Sequence, residues 1–97
     1  MLAELSVLPI GAGANMNEKV AKAIEIIHRS GLSYQVTPMG TIIEGTWDQI
    51  AAVSKQCHEA LVKDVGRVIT RLTLDERDDV RQNVKGSEGS AERRQGD

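Results

Sequence analysis

The sequence predicts an α+β domain in which one four-stranded antiparallel sheet carries two helices on one of its faces. Three observations support this. Four short stretches place apolar residues at every second position, and two longer ones place them at every third and fourth. The six stretches follow one another in the order β-α-β-β-α-β. With 97 residues the chain has the size of a single small domain.

Leu2 to Ile10 alternates, with Ala3, Leu5 and Val7 on one parity and Glu4, Ser6 and Leu8 on the other, which reads as a half-buried strand. The segment GAGAN interrupts it, and Asn15 with Glu18 three residues on predicts an N-cap and a capping box. Met16, Val20, Ala23, Ile24 and Ile27 then form the apolar stripe of a first helix, which Gly31 ends as a left-handed residue. Ser33 to Pro38 is the second strand, closed by a proline that lacks the N–H a central strand needs. Met39-Gly40 supplies the turn, and Thr41 to Thr46 the third strand. Thr46 and Gln49 repeat the capping pattern ahead of a second helix, whose stripe is Ile50, Val53, Cys57, Ala60 and Leu61 and whose end precedes Gly66. Arg67 to Asp75 alternates again, with Val68, Thr70, Leu72 and Leu74 opposed to Arg67, Ile69, Arg71 and Thr73. This order is the split βαβ, ferredoxin-like arrangement. The domain is expected over residues 1–77. Residues 78–97 read as a polar, partly disordered tail, because GSEGSAERRQGD has no large apolar residue to bury.

Composition removes several classes of function. The net charge of −2 gives no electrostatic footprint for nucleic acid. Tyr34 and Trp47 are the only aromatic residues. The central strands therefore lack the stacking rings of an RNA-recognition sheet. No run approaches the ~18 apolar residues of a membrane span, and the N-terminus lacks the basic region of a signal peptide, so a soluble, cytoplasmic protein is expected. Cys57 is the single cysteine; it lies in the second helix's stripe and reads as core. GAGAN has the glycines of a phosphate loop without its GxxxxGK[ST] or GxGxxG spacing, and reads as a turn. His28 and His58, on different helices and without a third ligand at fixed spacing, form no zinc pattern. No nucleophile–base arrangement is legible, and no enzyme is expected.

In such a fold the fourth strand lies beside the first and the first beside the third, with one sheet face uncovered. Glu4, Ser6, Leu8, Arg67, Ile69 and Arg71 belong to that face by parity. Glu44 joins them if Ile42 and Glu44, instead of Thr41 and Ile43, point outward; each parity holds one isoleucine, so the pattern leaves this open. Two roles follow for the charges: cross-strand pairing on a solvated face, or an interface in which aliphatic residues are mixed with charge. The second favours self-association through the sheet.

With the strands placed, AELSVLPIG, SYQVTPMGTIIEG, HEAL and RVITRLTLDERDD resemble, in order and spacing, the small thiamine-binding-protein family of the YkoF-like superfamily. The likeness covers about residues 1 to 80. It implies the ferredoxin-like fold and a non-catalytic protein that binds thiamine or its hydroxymethylpyrimidine part, with no further cofactor and no metal. It also implies homodimers, often assembled into homotetramers through the sheets. The family's polar positions fall on Ser6, Tyr34, Thr41, Glu44, His58, Arg67 and Arg77. The alternative reading of the residues is a self-association module without a small-molecule ligand.

Overall fold

The computed structural model describes residues 1–78. Its elements are β1 (Leu2–Pro9), a 3-10 turn (Gly13–Asn15), α1 (Met16–Arg29), β2 (Tyr34–Thr37), β3 (Gly40–Glu44), α2 (Trp47–Val65) and β4 (Val68–Asp75). The four strands form one antiparallel sheet in the order β2-β3-β1-β4. This is the ferredoxin-like arrangement the periodicity predicts. Most of the polar tail expected over 78–97 lies outside the described residues.

Both helices pack on the same side of the sheet, and the core lies between the layers. Ala3 and Leu5 of β1 and Ile43 of β3 meet Ala23 and Ile27 of α1 and Ile50, Val53, Cys57 and Leu61 of α2. Ile43, Ile50, Cys57 and Leu61 have no exposed surface at all. Burial of side chains this size is worth ~1.5–3 kcal/mol each and is the main force holding the layers together. β4 lies at the edge of the sheet with only α2 above it, so Leu72 remains 38% exposed despite facing the helices. At the far ends of the helices, Lys19 donates to Asp64 at 2.6 Å, with Lys22 close by. That contact, foremost the hydrogen bond from Lys19, holds the Asp64 carboxyl below the usual carboxylate range.

The two predicted capping boxes have different outcomes. At α2, Thr46 is extended (φ −79, ψ 165); its hydroxyl accepts from Gln49 N, and the Gln49 side chain accepts from Thr46 N. At α1 the box does not form. Asn15 is the last residue of the 3-10 turn, with φ −91 and ψ 6, and makes no side-chain cap bond. A cap residue reaches the free N–H groups of the first turn from extended backbone, which the preceding turn denies it. Gly31 (φ +79) follows α1 in the left-handed region as predicted, and Gly66 (φ +85), which the sequence places just after α2, is left-handed too.

Candidate functional site

Antiparallel partners directly opposite each other share a face, so register settles what alternation left open. Glu4 lies opposite Ile42 and Thr73, and Leu2 opposite Glu44 and Asp75. Glu44 and Ile42 therefore share the uncovered face with Glu4, while Thr41 and Ile43 are buried beneath the helices. Ser6 opposes Arg71, and Leu8 opposes Ile69. Leu8 and Ile69 are 42% and 40% exposed, the apolar part of that face. Among the described residues, Glu4, Glu44, Arg67 and Arg71 form no ion pair with one another, so the cross-strand pairing of these charges considered from sequence is not seen. The register sets each charge against a neutral residue, Glu4 against Thr73, Arg71 against Ser6, and Glu44 against Leu2.

Three of the expected site residues lie on the helix side. The Tyr34 hydroxyl is 3.0 Å from His28 Nδ1, with the rings edge to face. His58, on α2, places Nδ1 2.7 Å from Thr70 Oγ1 of β4. These contacts tie helix to strand and give both histidines a structural role. Thr41 is different. It is only 6% exposed and makes no side-chain hydrogen bond among the described residues, yet its hydroxyl is not sealed off in the way the Ser54 hydroxyl is.

What Thr41 borders is a slot of about 190 Å³ between α1 and the β2–β3 hairpin. It arises from unequal strand lengths. The β1–β3 ladder stops at Leu5 opposite Thr41, whereas β1 runs on to Pro9, so beyond Leu5 no strand lies on the β3 side of β1. Val20, Ala23 and Ile24 of α1 form one wall, with Ser6 and Val7 of β1 and Val36 of β2 among the others. Every described residue lining the slot is uncharged. Val36 (51% exposed) and Met39 (77% exposed) stand at its rim. A broader groove of about 470 Å³ runs between the helices near Arg29 and Gln49, but it lies on the outer surface.

The seven residues expected from the family likeness thus fall in several places. Ser6 and Thr41 border the slot, and Glu44 lies on the open face. Tyr34 and His58 brace the helices, Arg67 precedes β4, where its carbonyl accepts from Ile10 N, and Arg77 follows β4. Sequence reasoning missed Val36 and Met39 as candidates. Val36 shares a parity with Thr41 across the hairpin, which is a usable signal; Met39 reads only as a turn residue.

Fold and slot together define a ferredoxin-like α+β domain with a cavity the size of one small ring. Residues 3–92 match the model of the family described as thiamine-binding protein, and the chain belongs to that family. It is 36% identical over 85 residues to the UPF0045 protein MJ1052 of Methanocaldococcus jannaschii, covering 88% of this chain and 85% of the relative. The crystal structure of MJ1052 superposes with a TM-score of 0.87 at 34% identity, covering 94% of each chain. The UPF0045 protein Mb1933 of Mycobacterium bovis is 34% identical over 94 residues, covering 96% of this chain and 92% of the relative. A Thermotoga maritima structure, named a candidate thiamine biosynthesis/salvage protein, shares the fold with a TM-score of 0.79 at 23% identity, covering 94% of this chain and 96% of that one.

Proposed function

We propose that this protein is a non-catalytic binding protein for thiamine or its hydroxymethylpyrimidine part, working as a homo-oligomer. The observation that carries the reading is membership of the thiamine-binding family over residues 3–92. The slot beside Thr41 supports it. An engineered cavity of ~150 Å³ accepts benzene, so about 190 Å³ is room for one substituted ring and too little for a typical drug-sized ligand of roughly 300 Å³ and above. Self-association rests on a separate observation, the opposed pair Leu8 and Ile69 among charges on the uncovered sheet face. Calorimetry of the purified protein against thiamine and hydroxymethylpyrimidine tests the ligand. Saturable heat with either compound is expected, and absence of heat from both at millimolar concentration overturns the reading.

A self-association module without a ligand is the second reading, favoured by that same apolar pair on the uncovered face. Val36→Trp, which fills the mouth of the slot, separates the two: loss of ligand binding by an intact oligomer supports the first, and an oligomer that gives no ligand heat before or after the substitution supports the second.

A further inference from the structure

Building on the thiamine reading, we propose that the slot between α1 and the β2–β3 hairpin selects its ligand by charge. It takes the neutral hydroxymethylpyrimidine whole, its 5-hydroxymethyl group included, and so disfavours a phosphate ester on that group. Three features lead there. First, the lining is uncharged, so a phosphate or a protonated ring drawn into the slot loses water without gaining a counter-ion. Such a loss is not repaid without a partner charge or hydrogen bonds to the ion. Second, Thr41 lines the slot while the residue as a whole is only 6% exposed, and its hydroxyl has no hydrogen-bond partner among the described residues. A buried hydroxyl is costly to leave unpaired, and a ring nitrogen or exocyclic amine beside it satisfies it. Third, Ser6 and Val7 line the slot on the side of β1 that β3 does not reach, so an unladdered strand edge faces the ligand. A flat ring with alternating donors and acceptors suits such an edge, while Val20 and Ile24 offer its faces an apolar wall.

The test titrates the whole protein with 4-amino-5-hydroxymethyl-2-methylpyrimidine, its phosphate ester and thiamine, read by calorimetry and by methyl NMR. The neutral pyrimidine is expected to bind and to shift the Val20, Ile24 and Thr41 methyl signals. The phosphate ester is expected to bind at least ~100-fold more weakly, the equivalent of a desolvated charge without a partner. Affinity is expected to fall about tenfold per pH unit once pH drops below the pyrimidine's own pKa. Thr41→Val weakens binding about tenfold, the loss of one net hydrogen bond. Val36→Trp, at an exposed edge-strand position that tolerates aromatic residues, fills the mouth and abolishes binding without unfolding the chain. Equal affinity for pyrimidine and ester overturns the charge selection. Pyrimidine or thiamine binding that neither variant alters, with shifts confined to Ile42 and Ile69, overturns the slot while leaving the thiamine reading intact. No binding of pyrimidine or thiamine overturns both.

Discussion

Replacing Gly40 by alanine tests whether the hairpin is held against β1 by a backbone contact that no side chain can enter. Gly40 opens β3 at φ +154, and a Cβ placed there meets the Leu5 carbonyl oxygen at 2.9 Å and Glu4 Cγ at 3.2 Å. The Glu4 side chain can swing away over the uncovered face. The Leu5 carbonyl cannot, because Leu5 is buried in a strand paired on both sides, with Thr41 and with Leu72. Backbone strain in sparsely populated regions costs ~1–3 kcal/mol, and the backbone clash places Gly40→Ala at the upper end, about 3 kcal/mol. That is a large part of the ~5–15 kcal/mol that stabilises a domain, and it lowers Tm by roughly 12–24 °C at this size. Gly13→Ala is the control. Its φ is +58 with no atom within 4 Å of the added Cβ, so only the ordinary left-handed cost of ~1–2 kcal/mol applies. Thermal unfolding followed by far-ultraviolet circular dichroism compares the two. Equal losses of Tm would refute the argument, since the Leu5 contact would then contribute nothing.

Other predictions concern single groups. Thr46→Ala removes the reciprocal cap of α2 and is expected to cost ~1 kcal/mol by urea unfolding, with Thr46→Ser restoring most of it. Burial pushes the Cys57 thiol up from 9.0 to about 11, while the thiol donates to the Ala23 carbonyl. The protonated form is therefore the one that folds. Stability is full below the unfolded thiol's pKa and declines as pH rises through that window, by on the order of 3 kcal/mol. The unfolding midpoint of Cys57→Ala, compared with wild type below and above the window, should lack that alkaline decline. Ser54 is buried with an unpartnered hydroxyl, so Ser54→Ala is expected to be neutral or stabilising by up to ~1 kcal/mol. A loss above 1 kcal/mol would show that the hydroxyl has a partner.

Much of this was legible along the chain, for reasons that are local. The stripe of Ile50, Val53, Cys57, Ala60 and Leu61 marks the buried side of α2, and all but the half-buried Ala60 are buried. Thr46 and Gln49 announce their cap because the contact spans only three residues. The Asn15 cap fails because the preceding glycine-rich segment forms a 3-10 turn that changes the backbone at Asn15 itself. The candidate site was less legible. Ser6 and Thr41 meet at one slot, whereas Tyr34 and His58, which carry equally suggestive side chains, are held by His28 and Thr70.

The sequence by itself determined the order of elements and the core face of each helix. Periodicity and caps act within a few residues, so one strand or helix records them in full. Only the tertiary structure decided where Glu44 points, because Ile42 and Ile43 satisfy either parity equally and the choice falls to register against β1. The slot was likewise a tertiary outcome. It exists because β3 begins at Gly40 and its ladder with β1 ends at Leu5, while β1 continues to Pro9 under α1. That mismatch in length belongs to the pairing of two strands and is written in neither of them alone.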